Sequence, residues 1–187
     1  MMKTEQQYYE EGTTLEEYMA HMSTLKEESF SVLEQFSLPK DTEFFHQLKK
    51  ENLHFLIITE DWCGDAMMIN PIVRKIAEVA DVEVRVALRD KDTDLIDRHL
   101  TNGGRAIPIV LFLNEEGELI GKWGPRAPEV QQIVDEYRAE LPDKEDANFE
   151  VKQKEMIATL QKRYVHEEKL WKYVYDSVKQ SLISIIG

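Results

Sequence analysis

The segment Leu53–Thr59 carries Phe55, Leu56, Ile57 and Ile58 as an unbroken apolar run. It is too short for a helix of its own, and its lack of alternation predicts a strand buried on both faces. Such a strand belongs inside a layered domain with helices beside it. The following residues supply one. Trp62-Cys63-Gly64-Asp65-Ala66 leads into an apolar, helix-like segment from Gly64 to Ala80, with Pro71 inside it. Proline there removes an amide and predicts a kink. Cys63 is the only cysteine among 187 residues. It stands where the strand hands over to the helix, so no disulfide can form within one chain.

Residues 13–36 read as one helix. Thr14 and Glu17 fit a capping box, and Leu15, Tyr18, Met19, Met22 and Leu25 recur at helical spacing. Asp41 or Thr42 caps a short helix that ends near Lys50. Val82–Leu88 alternates and reads as a strand. Thr93–Leu100 reads as a short helix, and Asn102-Gly103-Gly104 as a turn. Ile107–Leu113 and Leu119–Trp123 read as strands joined through Glu115-Glu116-Gly117. Pro128 opens a helix to about Leu141. Strands that alternate with helices should be parallel, and the last two, joined by a tight turn, antiparallel. The expected fold class is an α/β sandwich with a mixed sheet of four to five strands. Pro142–Ala147 is a polar linker. Residues 148–186 form an amphipathic helical region, with Leu160, Tyr164, Trp171, Val174, Val178 and Leu182 on its apolar face. The expected organisation is a helical extension over 1–50, a core domain over 51–141 and a second helical extension over 142–187. The C-terminal helices either clad the core or pair with a partner, including a second copy of the chain.

The net charge is −13, and residues 143–187 carry eight basic and eight acidic groups. No basic face exists for phosphate backbones, so nucleic acid is not an expected partner. No apolar run is long enough to span a membrane. The first residues lack the basic start and apolar stretch of a secretory signal. With a single cysteine, these features point to the cytoplasm, where a thiol stays reduced. His21, His46, His54, His99 and His166 are scattered without ligand spacing, so no metal is expected.

Cys63 at a helix start is the candidate catalytic residue. Unpaired amides and the helix dipole favour its thiolate. Glu60, Asp61 and Asp65 oppose it, and the net sign is open. The sulfur is expected to be exposed. Three features then coincide in order. Trp62-Cys63-Gly64 stands at the junction. Pro71 follows eight residues after the cysteine. Arg105-Ala106-Ile107-Pro108 precedes a strand, and Gly124 follows the last one. This pattern, over about residues 50–141, resembles the thioredoxin family, whose hallmark is Trp-Cys-Gly-Pro-Cys with a later cis proline. The resemblance implies a thioredoxin-like three-layer sandwich. It implies substrate-binding roles for Trp62, Gly64, Asp65, Ile107 and Pro108, with Pro108 cis and the Ile107 backbone open to an extended peptide or a thiol.

The departures are as informative. Ala66 replaces the second cysteine, Asp65 the intervening proline, and Ile57 the buried aspartate that assists proton transfer. A mixed disulfide at Cys63 would need an outside thiol for release. Two readings stay open. One is monothiol thiol–disulfide exchange with a protein or small-molecule thiol or disulfide, with no bound cofactor and a low-molecular-weight thiol as resolving agent. The other is a redox-inactive binding module that uses the groove beside Pro108. A peroxidase reading is disfavoured, because Glu60 stands where a peroxiredoxin carries threonine.

Overall fold

The computed structural model describes residues 2–187. Its centre is strand β2 (His54–Thr59), buried on both faces as its composition requires. On one side β2 pairs in parallel with β3 (Val84–Leu88), Ile57 opposite Val86. On the other it pairs antiparallel with β4 (Ile109–Leu113), Ile57 opposite Val110. β4 pairs antiparallel with β5 (Leu119–Trp123) across the Glu115–Gly117 turn. A two-residue strand, β1 (Thr13–Thr14), adds antiparallel to β3, so the mixed sheet has five strands in the order β1-β3-β2-β4-β5.

The N-terminal region departs from one continuous helix. Helix α1 (Glu5–Glu11) precedes β1, and α2 (Leu15–Ala20) and α3 (Lys26–Gln35) follow as separate pieces. At Gly12 the chain lies so close to β3 that a Cβ would stand 2.7 Å from the Val86 carbonyl. A passing main chain held that near a strand pairs with it rather than coiling. Thr14 does cap α2, its hydroxyl accepting the Glu17 amide at 3.2 Å. The chain reverses before α3 at Leu25, which is left-handed at φ 58°.

Helix α4 (Thr42–Lys50) leads into β2, and α5 (Gly64–Val79) follows it, running through Pro71. Short α6 (Thr93–Ile96) precedes β4, and α7 (Pro128–Ala139) follows β5 with Pro128 in its first turn. Alternate side chains of the strands face two cores. Leu56, Ile58, Ile109 and Leu111 pack with Tyr8 and Tyr9 of α1 and Leu95 and Ile96 of α6. Phe55, Ile57, Val110 and Phe112 face the larger core, built from α3, α4, α5, α7 and the C-terminal helices.

The C-terminal region is two helices, α8 (Phe149–His166) and α9 (Glu168–Ile186), separated by Glu167 in extended conformation. Both pack on the sheet domain. In α9 Trp171, Val174, Val178 and Leu182 are essentially inaccessible to solvent. The Tyr175 hydroxyl donates to Asp41 at 2.6 Å, and Lys179 pairs with the same carboxylate at 3.0 Å. Asp41 therefore ties α9 to the start of α4 and does not cap that helix with its side chain.

Candidate functional site

Strand β2 ends at Thr59, and a short turn delivers Cys63 to the N-cap of α5. Its sulfur accepts the Ala66 amide at 3.5 Å, and its S–H donates to the Ile107 carbonyl at 3.6 Å. The Ile107–Pro108 bond is cis, at the entry to β4. The structure thus brings Cys63, Gly64, Ile107 and Pro108 together, and the Ile107 carbonyl is taken by the thiol.

The expectation of an exposed sulfur is overturned: Cys63 is 8% exposed. Helix α8 lies over the junction. Gln161 packs against Gly64, its Cγ 3.0 Å from where a Cβ would stand. A cavity of about 310 Å³ remains beside the sulfur, bounded by Cys63, Asp65, Arg126, Leu160, Gln161 and Tyr164. Trp62 is half exposed beside it, with the Arg89 guanidinium stacked 4.9 Å from its ring.

Burial is also what signs the balance that charge counting leaves open. It pushes the Cys63 thiol up to about 11, with the Asp65 carboxylate pushing the same way. The Ala66 and Asp65 amides and the Arg126 cation pull in the other direction and lose. Glu60 and Asp61 do not act on the sulfur as a pair. Asp61 accepts the amide and hydroxyl of Ser23, both at 2.9 Å, and Glu60 accepts the Asp90 amide at 2.9 Å.

Asp65 does more than sit in a favourable first turn. Its carboxylate takes a bidentate pair from Arg126, at 3.0 and 2.8 Å, and the Tyr164 hydroxyl at 2.8 Å. The ion pair is largely buried, with 14% and 13% of the two side chains exposed. Arg126 and Tyr164 escape sequence reasoning as site residues. Tyr164 reads only as one apolar position of a helix, and nothing local marks Arg126, which follows Gly124-Pro125. Gly124 has a structural reason to be glycine. Its φ is +126°, and a Cβ would stand 2.3 Å from the Pro108 carbonyl oxygen. Ile57 is fully buried, so hydrocarbon occupies the place of a proton relay. Among the described residues no cluster of His, Cys, Asp and Glu could hold a metal ion.

A family model described as thioredoxin matches residues 12–138, most of the chain. The chain belongs to the thioredoxin family. Among solved structures, it is similar to an HIV epitope-scaffold, at 18% identity and a TM-score of 0.67, over 97% of this chain and 99% of that one. It is also similar to a protein of unknown function from Pseudomonas aeruginosa, at 17% identity and a TM-score of 0.61, over 88% and 96%. At those identities the likeness is one of fold, and it extends over the helical additions as well as the sheet. No curated protein matches. Within the thioredoxin fold, this chain keeps the helix-start sulfur and the Ile-Pro segment, and covers the sulfur with a helix of its own.

Proposed function

We propose that Cys63 acts as a monothiol that forms a mixed disulfide with an incoming disulfide of a small molecule or protein. In the first step Cys63 gives up its proton, and its sulfur attacks one sulfur of R–S–S–R. The S–S bond breaks, and RS⁻ leaves and takes up a proton. In the second, an outside thiol R′SH attacks the R sulfur of the mixed disulfide, releasing R–S–S–R′ and restoring the Cys63 thiol. The observation that carries this reading is the sulfur itself, set on a helix N-terminus at the wall of a cavity, with Ala66 one turn on. No second cysteine exists in the chain to complete a dithiol cycle. A reducing compartment such as the cytoplasm would keep that thiol free, and no helix among the described residues is long and apolar enough to cross a membrane.

The exchange should be slow at neutral pH. With burial pushing the thiol up to about 11, only a small fraction is thiolate at pH 7. Incubation of the folded protein with a small disulfide, followed by intact mass spectrometry, should show one adduct at Cys63. A Cys63 that stays unmodified until the protein unfolds rules the exchange out. The neutral, covered thiol and the apolar Ile57 favour a second reading, a binding module without redox turnover. Partner capture that is equal for the natural protein and Cys63→Ser supports binding alone.

A further inference from the structure

We propose that α8 is a lid over Cys63, latched shut by the Tyr164 hydroxyl on Asp65, and that it lifts as a unit to admit reagents to the sulfur. The two C-terminal helices are anchored very unequally. α9 buries six of its nineteen residues, whereas α8 buries two of eighteen, Leu160 and Tyr164. Both of those residues line the cavity next to Cys63. The hold of α8 on the domain is therefore concentrated in its second half, where Arg163 also donates to the Tyr137 hydroxyl of α7 at 3.5 Å. The rest of the helix is largely solvated, with Val151 57% and Ile157 44% exposed.

The two ends of α8 are held unequally. Before it, residues 143–148 are exposed and irregular. After it, Glu167 is a single extended residue between two helices, and the Trp171 indole donates to the Tyr164 carbonyl at 2.7 Å. That bond fixes the C-terminal end of α8 to the well-buried α9, so the free end is the one that follows the linker. A swing about Glu167 takes Gln161 and Leu160 off Gly64 and Cys63, and breaks the Tyr164–Asp65 bond. Asp65 meanwhile keeps both bonds from Arg126, so opening strands no buried charge. Elements with few buried contacts open well below the cost of global unfolding.

What the lid controls rests on the exchange reaction proposed above, but its motion can be read separately. The probe is iodoacetamide, small and uncharged, with wild type and Tyr164→Phe as full chains. Loss of a hydrogen bond to a buried carboxylate should raise the open fraction, and with it the alkylation rate, roughly tenfold to a hundredfold. The change cannot come from a more acidic thiol. Asp65 without its hydroxyl donor presses harder on Cys63 and would slow the reaction. Amide hydrogen exchange supplies the second measurement. Amides of residues 156–166 should exchange well before those of β2 and β4, and only the former should quicken in Tyr164→Phe. An unchanged alkylation rate in the variant overturns the lid. So does α8 exchange that keeps pace with β2 and β4 in both proteins and shares their urea dependence. A lid that lifts over a Cys63 which takes no disulfide leaves the inference standing and sinks the exchange reaction instead.

Discussion

Deleting Arg126 alone should cost the fold more than deleting it together with the charge of Asp65. In Arg126→Met the Asp65 carboxylate stays 13% exposed and loses two of its three hydrogen bonds, keeping only the Tyr164 hydroxyl. Breaking a buried pair by removing one partner costs about 3–5 kcal/mol. The remaining donor and the residual exposure put this case at the low end, about 3 kcal/mol. Asp65→Asn leaves Arg126 with the Gln131 carbonyl at 2.9 Å as its neutral acceptor, a loss of about 2 kcal/mol. Simple addition gives about 5 kcal/mol, but the double variant strands no charge and should lose only about 2, a coupling near the top of the range for contacting residues. Urea unfolding followed by far-UV circular dichroism reads it. With a slope of about 2 kcal/mol per molar, the Arg126→Met midpoint falls by about 1.5 M, and the double variant recovers part of that. The same variants move the thiol in opposite directions. Asp65→Asn lowers the pKa of Cys63, and Arg126→Met raises it further. Single and double losses that add to within about 0.5 kcal/mol would refute the claim that these groups act as a unit.

The Cys63 thiol binds its proton more tightly folded, near 11, than at its ordinary 9.0, so its contribution of about 2–3 kcal/mol is full below pH 9 and lost as pH rises through 11. Wild type should therefore lose that much more stability than Cys63→Ala between those pH values, and parallel losses would contradict the burial argument. Gly124→Ala forces a Cβ to 2.3 Å from the Pro108 oxygen at a φ of +126°, and should cost about 2–4 kcal/mol in thermal unfolding; an unchanged midpoint would mean the loop relaxes freely. Ala66→Cys should give an internal disulfide on oxidation, because position 66 already lies within 3.5 Å of the sulfur at its amide. Two free thiols after oxidation, counted by mass, would show that the junction does not hold dithiol geometry.

What could be read from the sequence follows from how local each signal is. Strand β2 announces itself because every residue from Phe55 to Ile58 is buried, and a strand buried on both faces needs no pattern beyond its composition. The junction at Cys63 and the Ile107–Pro108 entry to β4 were legible as spaced motifs. Residues 5–13 were not. Tyr8 and Tyr9 of α1 fill the second core only because β1 turns the chain onto β3, a pairing between positions some seventy apart. The break at Leu25 depends on a left-handed residue that nothing in its side chain demands. Tyr164 and Asp65 lie ninety-nine residues apart, and their bond exists only after α8 crosses α5. Charge counting near Cys63 could not sign the thiol for a similar reason, since the deciding influence is burial, in the core that Cys63 shares with Leu56, Ile58 and Ile107.

Positions 65 and 66 bring these effects together. The family's proline at the first of them would bring neither an amide hydrogen nor a carboxylate. Asp65 brings both, and they act on Cys63 in opposite senses: the amide favours the thiolate, the carboxylate disfavours it. Their difference is smaller than the burial that outranks them. The same carboxylate holds Tyr164 of α8 beside the cavity at the sulfur. Where a dithiol protein resolves its mixed disulfide from position 66, this chain has a buried Ala66, next to the residue that anchors α8. Resolution from within is lost and access from outside is restricted at neighbouring residues.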